Sequence, residues 1–342
     1  MIKPEKLEKG DTIAVIAPSS GLAKLFPHRI NNAKKALEKL GFHVKFFPTV
    51  SKFEGGKAGS TADRITDIRN AFLDKDIKAI ICAIGGLSAN ELLNKLDYDL
   101  IKNNPKIFCG YSDITLLHYA LQKKSNLVTF YGPCAMTQFG EYPEPLQYTI
   151  DFFLKAVASE QPIGKVVSSK EWTDKVLDWG TKQDLKRPRK LLPNPGHIWL
   201  KGGKAQGKIV GGCLYSLLQL KGTEYDVDYG NKILFIEVPE GEDFTKGTPL
   251  SYVDSQLMDL RNANVFNKIK GFIVGISFGY SEDERNKFKL LIEEHTRDYN
   301  FPVLFNVNIG HADPIITIPL GVTVTLDSYN NFFLIDESGT ES

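Results

Sequence analysis

Short apolar runs alternate with amphipathic segments over the first 160 residues, and this alternation restricts the possible fold more than any other feature of the sequence. The run Ile77–Ile84 is apolar at every position except Lys78, so it predicts a strand that is covered on both faces. The segments between such runs have helical spacing, as in Thr61–Leu73. The pattern therefore predicts an α/β fold in which the N-terminal domain is a doubly wound, flavodoxin-like parallel sheet.

The composition changes after this region. A stretch rich in Lys, Pro and Gly contains all three tryptophans of the chain: Trp172, Trp179 and Trp199. Beyond it, apolar runs such as Ile233–Ile236 again alternate with helical segments. We therefore predict three units: an N-terminal domain over residues 1–160, a connector over 161–206, and a second, C-terminal β/α domain over 207–342.

The charged residues are balanced, with 42 Lys and Arg against 41 Asp and Glu, which gives no electrostatic reason to expect binding to nucleic acid or to a membrane surface. The first residues lack the apolar core of a signal peptide and no apolar run is as long as a membrane span, so a cytoplasmic protein is expected. The four cysteines and six histidines lack the short spacings of a metal site. No metal or other cofactor is therefore predicted, and the cysteines are expected to be buried thiols.

A serine lies at a predicted strand-to-helix junction in the N-terminal domain. The strand is Ile107–Cys109, Gly110 opens the turn, and apolar residues recur at helical spacing from Asp113 onward. A serine in such a turn projects above the sheet beside the helix N-terminus, where backbone N–H groups can stabilise an oxyanion, as in a nucleophile elbow. Ser112 is therefore a candidate nucleophile. The alternative is that Ser112 or Asp113 only caps the helix, a role for which both residue types are common.

A serine nucleophile needs a base that accepts its proton and a third group that orients the base. His311 is the best candidate for the base, because it lies in an irregular, glycine-bearing loop after a strand; His197, in the connector, is its rival. Glu237 is the candidate orienting group, because it ends an apolar strand where an unpartnered carboxylate would be costly. The acidic residues of the following loop, from Glu240 to Asp243, are expected to be ordinary surface residues.

Three short motifs carry a resemblance to a known family: Gly110-Tyr-Ser-Asp113, Phe235-Ile-Glu237 and Gly310-His-Ala-Asp-Pro314. In this order, and spread over two domains, they resemble the serine peptidase family of LD-carboxypeptidases (the S66 peptidases), which also contains the microcin C self-immunity proteins. The resemblance implies a catalytic triad in which Ser112 is the nucleophile, His311 the general base and acid, and Glu237 the residue that orients His311. It also implies an oxyanion hole formed by the backbone N–H groups of Gly86 and Asp113.

The loop after the third predicted strand resembles the microcin-immunity branch of that family. Members that trim cell-wall muropeptides usually have an arginine immediately before the glycine pair, whereas this chain has Ile84. The resemblance implies that three residues of this loop contact the substrate: Gly85, Leu87 and Asn90. It also implies that a connector tryptophan stacks on the nucleobase of an aminoacyl nucleotide, with Trp179 as the better match and Trp172 as the second. The resemblance also implies that the protein is a homodimer and that it uses no cofactor.

The sequence therefore favours a carboxypeptidase-like serine hydrolase that cleaves an amide bond in a small aminoacyl or peptidyl conjugate. The preferred substrate is a microcin C-like peptide–nucleotide or an aminoacyl nucleotide, which the reaction would detoxify. One alternative is an LD-carboxypeptidase that removes the terminal D-alanine of muropeptide tetrapeptides in cell-wall recycling. Another, of a different class, is a protein that binds a small ligand without catalysis.

Overall fold

A parallel sheet lies at the centre of the N-terminal part of the computed structural model, which describes residues 1–342. The sheet contains five parallel strands: β1 (Thr12–Ile16), β2 (His43–Phe46), β3 (Ile77–Cys82), β4 (Ile107–Gly110) and β5 (Phe130–Tyr131). They follow one another across the sheet in the order 2-1-3-4-5, which is the flavodoxin-like order. The fold predicted for this domain is therefore confirmed, and the apolar run at β3 lies in the middle of the sheet.

Six α-helices belong to this part of the chain: α1 (Leu22–Leu25), α2 (Pro27–Lys39), α3 (Thr61–Leu73), α4 (Tyr98–Asn103), α5 (Ile114–Ser125) and α6 (Gln147–Val157). The helix α3 has the predicted bounds. Its first turn is closed by a capping box, in which Ser60 and Asp63 each accept a hydrogen bond from the other's backbone N–H. The segment after the glycine pair forms a 3₁₀ helix over Ala89–Lys95.

The connector contributes strands to the tertiary structure instead of linking two separate bodies. It contains four short strands: β6 (Gly164–Val166), β7 (Glu171–Trp172), β8 (Leu192–Pro193) and β9 (Ile198–Lys201). The strands β7 and β8 pair with each other, whereas β6 and β9 form the two edges of the second sheet. The connector is therefore held to the C-terminal part along two lines of hydrogen bonds.

The second sheet is mixed and has eight strands. Its centre is parallel: β10 (Lys204–Cys213), β11 (Ile233–Glu237), β12 (Gly271–Gly275) and β13 (Val303–Val307). Three helices follow β10, β11 and β12 in turn: α7 (Leu214–Gln219), α8 (Leu250–Asn262) and α9 (Glu282–Thr296). This arrangement confirms the predicted second β/α domain.

The last strands of the chain join the two sheets. The strand β14 (Ile318–Pro319) pairs antiparallel with β5 and so becomes an edge of the N-terminal sheet. The hairpin of β15 (Thr323–Asp327) and β16 (Phe332–Ile335) returns to the second sheet beside β10. One cluster of 89 buried apolar residues runs through both parts, so the two sheets are fixed relative to one another by a shared core.

The cysteines and the helices relate to two expectations from the sequence: buried thiols and the absence of a membrane span. All four cysteines are buried and unpaired, as predicted. None of the helices combines the length and the apolar character that crossing a bilayer requires.

Candidate active site

Ser112 lies in a tight turn between β4 and α5. Its φ is 66°, a left-handed conformation that costs a non-glycine residue about 1–3 kcal/mol. The turn is held on both sides: Ser112 N–H donates to the Tyr131 hydroxyl at 3.2 Å, and the Ser112 carbonyl accepts from Thr115 Oγ1 at 2.6 Å. The helix begins without a side-chain cap, so the capping alternative does not hold. The predicted sharp turn at this serine is confirmed.

The glycine pair packs against the serine. A side chain at Gly85 would place its Cβ 2.7 Å from Ser112 Cβ, so this approach of the loop requires glycine. The carboxylate of Asp113 fastens the loop to the turn. It accepts hydrogen bonds from three donors: the Ser19 hydroxyl and, each at 3.2 Å, the N–H groups of Ser88 and Ala89. Burial raises the pKa of Asp113, and these hydrogen bonds oppose that rise.

The two backbone donors predicted for the oxyanion hole therefore lie in segments that contact each other. The N–H of Asp113 has no acceptor within the chain, so it is available to a ligand. Gly86 follows the glycine that touches Ser112, and a Cβ at Gly86 would lie 2.5 Å from Ser19 Oγ. The assignment of these two N–H groups to an oxyanion hole stays a prediction.

Glu237 is the last residue of β11 and is 1% exposed. Its two carboxylate oxygens have separate partners. The Tyr131 hydroxyl donates to Oε1 at 2.6 Å, and Oε2 lies 2.7 Å from Nδ1 of His311. These two bonds meet the requirement that a buried carboxylate at this position be partnered. They also fix the tautomer of the histidine, because Nδ1 must carry a proton to donate and Nε2 is left to exchange one.

The imidazole of His311 lies among aromatic and acidic side chains. Its ring packs edge-on against Tyr111, with 4.9 Å between centroids, and its Nε2 lies 3.5 Å from Glu240 Oε2. Burial alone would lower the pKa of His311, but the charges of Glu237 and Glu240, with a smaller effect of Asp313, outweigh it and raise that pKa to about 9. The expectation that Glu240 is an ordinary surface residue is wrong, because the loop after β11 turns back and places its carboxylate beside this ring.

A continuous path of hydrogen bonds connects the serine to the histidine. It runs from Ser112 N–H to the Tyr131 hydroxyl, then through the Glu237 carboxylate to His311. The Ser112 hydroxyl itself makes no hydrogen bond within the chain. The structure thus brings the three predicted triad residues to one place, where β4, β5 and β11 end. Sequence reasoning missed Tyr131, although its position at the end of the strand next to the elbow strand was a signal for it.

The loop that carries the histidine is anchored by Asp313. Its backbone exchanges two hydrogen bonds with Thr173 of the connector, at 2.7 and 2.9 Å. Its carboxylate accepts from Arg189 at 2.6 Å and from Gln138 at 3.1 Å. The connector and the N-terminal part therefore both hold the position of His311.

The rival histidine is not part of this arrangement. Nε2 of His197 has no hydrogen-bond partner, and burial lowers the pKa of His197 to about 4. His118, on α5, is fully buried, and its Nε2 lies 2.9 Å from the Gly110 carbonyl, as expected for a core residue. Of these histidines, only His311 is connected to Ser112 through the carboxylate of Glu237.

Leu87 and Asn90, the other residues of the glycine loop that were predicted to contact the substrate, lie in different environments. Leu87 is 80% exposed, so its side chain is free to touch a ligand. Asn90 lines a cavity of 840 Å³ together with Lys57 and Leu116, and the walls of this cavity include none of the three triad residues. Their role in substrate binding stays a prediction.

Each connector tryptophan has packing partners in the protein. The guanidinium of Arg29 lies 4.7 Å from the ring centre of Trp179, and Phe26 packs edge-on against the same half-buried ring. Trp172 is 5% exposed and packs near the histidine loop, so a ligand could stack on it only after its neighbours move. Trp199 donates through Nε1 to Asn331 at 2.9 Å. Nucleobase stacking by Trp179 or Trp172 stays a prediction.

Comparison with known protein families identifies both halves of the chain. Residues 13–132 match the LD-carboxypeptidase N-terminal domain of peptidase family S66, and residues 206–326 match the corresponding C-terminal domain. The chain belongs to the LD-carboxypeptidase family. As a member of this family it is a serine peptidase-like hydrolase.

Some relatives of this chain are named as carboxypeptidases, and another is named as a microcin C7 self-immunity protein. YocD of Bacillus subtilis, named as a carboxypeptidase, is 34% identical over 323 residues, which cover 94% of this chain and 95% of YocD. A second Bacillus subtilis protein, which is named as a murein peptide carboxypeptidase, is 30% identical over 343 residues. The match covers 99% of this chain and 96% of that relative. The microcin C7 self-immunity protein MccF of Escherichia coli is 31% identical and covers 97% of this chain and 94% of MccF.

Solved structures of the family confirm the two-part fold. An MccF-like protein from Bacillus anthracis superposes with a TM-score of 0.88 at 36% identity, covering 98% of each chain. MccF in complex with aspartyl sulfamoyl adenosine superposes with a TM-score of 0.91 at 29% identity, covering 100% of each chain. The two-part fold described here is therefore shared with MccF over its whole length.

Proposed function

We propose that this protein hydrolyses the bond between the acyl carbonyl carbon and the nitrogen of a small aminoacyl conjugate, with Ser112, His311 and Glu237 as its catalytic triad. The observation that carries the proposal is the buried path of hydrogen bonds that links the backbone of Ser112 to His311 through Tyr131 and Glu237. A carboxylate that holds the proton-bearing Nδ1 of a histidine next to a strained serine turn is the arrangement that nucleophilic catalysis needs.

The reaction would proceed through an acyl-enzyme. Ser112 Oγ attacks the carbonyl carbon and its proton passes to Nε2 of His311, while the N–H groups of Gly86 and Asp113 stabilise the oxyanion. When the tetrahedral intermediate collapses, the C–N bond breaks and the leaving nitrogen takes the proton from His311. Water then hydrolyses the ester with the same histidine as base. The hydrogen bond from Ser112 Oγ to His311 would form when substrate binds, as is common for catalytic hydrogen bonds that are absent in ligand-free structures.

Two observations favour an aminoacyl nucleotide, such as a processed microcin C, as the substrate. Ile84 precedes the glycine pair, whereas family members that trim muropeptides usually have an arginine at this position. The position therefore supplies no cation for the terminal carboxylate of a substrate. The structure of MccF with aspartyl sulfamoyl adenosine, which is similar over the whole chain, also supports this class of ligand. The relative named as a murein peptide carboxypeptidase makes removal of D-alanine from a muropeptide tetrapeptide the second candidate.

The test is the rate of hydrolysis of aspartyl sulfamoyl adenosine and of a muropeptide tetrapeptide, measured by mass spectrometry of the products. We expect the nucleotide analogue to be cleaved and Ser112→Ala to lower kcat by about 10⁴-fold or more, as loss of a triad serine does elsewhere. Ser251→Ala, which changes an exposed serine on α8, is the matched control and should retain the activity.

Three other results would contradict parts of the proposal. Cleavage of the tetrapeptide alone would favour the second candidate. Binding of the nucleotide analogue without turnover would favour a ligand-binding protein. Full activity of Ser112→Ala would refute the assigned nucleophile.

A homodimer and a cytoplasmic location also remain predictions. Light scattering of the purified protein at several concentrations would test the first, with a mass of one 38.2 kDa chain as the contradicting result.

A further inference from the structure

Arg189 of the connector contacts two buried carboxylates from distant parts of the chain. Its Nη2 atom lies 2.6 Å from Asp313 Oδ2 and 2.7 Å from Glu141 Oε2. Asp313 lies two residues after His311, whereas Glu141 lies before α6 in the N-terminal part. One guanidinium therefore joins three segments: the connector, the loop that carries the histidine and the N-terminal part.

The two carboxylates need this cation. Both contact the same nitrogen atom, so their oxygens are close to each other, and both residues are buried. Buried like charges repel, and without a cation between them one carboxylate would move away or take up a proton. Burial alone would lower the pKa of Arg189, but the charges of Asp313 and Glu141 outweigh it and raise that pKa, so the guanidinium stays charged. The position of Asp313 therefore depends on Arg189.

The position of Asp313 matters because His311 belongs to the same short loop. The bond of His311 Nδ1 to Glu237 orients the ring, whereas Asp313 fastens the backbone that carries it. A catalytic base must approach the proton that it abstracts to about 3 Å, and an error of about 1 Å in such a geometry can cost about a hundredfold in rate. A shift of this loop would therefore impair proton transfer more than substrate binding.

We infer that Arg189 is a positioning residue of the proposed reaction: by holding Asp313 against Glu141, it fixes the loop that presents His311 to Ser112. The inference rests on the proposed function, since it assigns Arg189 to the same triad. It makes the connector part of the catalytic machinery, because the connector supplies the cation on which the histidine loop depends.

The connector keeps a second attachment when Arg189 is changed. Asp184, five residues earlier, accepts a hydrogen bond from Arg29 of α2 at 3.1 Å, and the Nε2 atom of His28 lies 3.1 Å from the same carboxylate. Loss of Arg189 should therefore act on the histidine loop without detaching the connector from the N-terminal part.

The charge of Arg189 also affects the protonation of the histidine. Titratable side chains face the imidazole from the elements around it: Glu237 at the end of β11, Glu240 in the next loop, Tyr111 in the serine turn and Asp313 in its own loop. Burial lowers the pKa of His311, whereas the two glutamates and, to a smaller extent, Asp313 raise it. Arg189 offsets the charge of Asp313, so its removal should raise the pKa of His311 further and leave less neutral base at neutral pH.

The experiment measures kcat and KM for aspartyl sulfamoyl adenosine against pH in the wild type, Arg189→Gln and Arg187→Gln. Arg187 is the matched control, because it is an exposed arginine of the same segment that forms no ion pair. We expect Arg189→Gln to lower kcat by about tenfold to a hundredfold, to change KM less, and to move the rising limb of kcat/KM to higher pH. Arg187→Gln should change neither quantity. Arg189→Lys, which keeps the charge, should restore the limb and part of kcat.

Two results would overturn the inference: wild-type kcat in Arg189→Gln, or a lower kcat with an unmoved limb, which would show a merely structural role. If Arg189→Gln does not fold, Asp313→Asn decides, because it weakens the same contact from the other side while Arg189 keeps Glu141 as its partner. Asp313→Asn should lower kcat and move the limb to lower pH, and wild-type kcat in this variant would overturn the inference.

A titration of the His311 imidazole by NMR in the substrate-free protein separates this inference from the proposed function. If the wild type cleaves no substrate, the proposed function fails, and the titration still decides the inference. A higher pKa of His311 in Arg189→Gln than in Arg187→Gln supports it, and equal values in the two variants would contradict it.

Discussion

Replacing Tyr131 by phenylalanine tests the connection between the two halves of the site. The hydroxyl accepts from Ser112 N–H and donates to Glu237 Oε1, and both Tyr131 and Glu237 are only 1% exposed. A hydrogen bond to an ionised group contributes about 1.5–3 kcal/mol, and an orphaned backbone N–H adds a further cost. We therefore expect Tyr131→Phe to lower the free energy of unfolding by about 2–5 kcal/mol.

The same substitution should lower kcat by about tenfold to a hundredfold, equivalent to about 1.4–2.7 kcal/mol of transition-state stabilisation. Glu237 would lose one of its two hydrogen bonds, and the N–H of Ser112 would lose its acceptor. Both the histidine and the nucleophile would therefore be less well oriented. The assays are urea denaturation and the steady-state hydrolysis of aspartyl sulfamoyl adenosine, with kcat and KM determined separately. KM should change less than kcat, because Tyr131 is buried behind the reacting groups.

Tyr148→Phe is the control for this experiment. Its hydroxyl also makes one hydrogen bond, to the Val167 carbonyl at 2.7 Å, but it lies on α6 and contacts none of the triad residues. Its loss should cost about 0.5–1.5 kcal/mol of stability and leave kcat unchanged. If folded Tyr131→Phe had the kcat of Tyr148→Phe, the path of hydrogen bonds would have no catalytic importance and the reasoning would be refuted.

Three further predictions concern His311, the neighbouring residue Glu240 and the loop that carries the histidine. Because His311 must be neutral to accept a proton and its pKa is raised to about 9, kcat/KM should increase with pH up to about 9; a profile already flat at pH 7 would contradict this. Glu240→Gln removes one of the charges that raise this pKa, so it should move the rising limb to lower pH. Gly310 has a φ of 102°, and a Cβ there would lie 2.6 Å from Glu237 Cβ, so Gly310→Ala should reduce both Tm and kcat. Gly222→Ala, with a φ of 77° and no atom within 4 Å of the added Cβ, should cost only about 1 kcal/mol and retain activity; equal losses in both variants would refute the packing argument.

Features with a local physical cause could be predicted from the sequence. The apolar run at β3 indicates a covered strand, because each polar side chain placed there would lose its hydration. The turn at Ser112 follows from a glycine between a short strand and a helical segment. The need for a hydrogen-bond partner at Glu237 follows from the cost of burying a carboxylate. The structure supplies two partners, Tyr131 and His311. These inferences require only the neighbours of each residue along the chain.

Contacts between distant segments could not be predicted in this way. The strand-end position of Tyr131 indicates that it lies near the serine turn, but it does not indicate that the hydroxyl meets a carboxylate 106 residues later. The residues around Glu240 likewise resemble an ordinary surface loop. The pairing of Ile318–Pro319 with the N-terminal sheet and the packing of Trp179 on Arg29 are further cases.

The sequence by itself determined most strands and helices of the two sheets, though not the short strands of the connector, because they depend on periodicity. It also determined which residue types are available for catalysis, because these depend on the cost of burying charge. Only the tertiary structure decided which of those residues meet. The path of the chain between two sheets sets the distances between side chains, and those distances decide the hydrogen bonds and the pKa of His311.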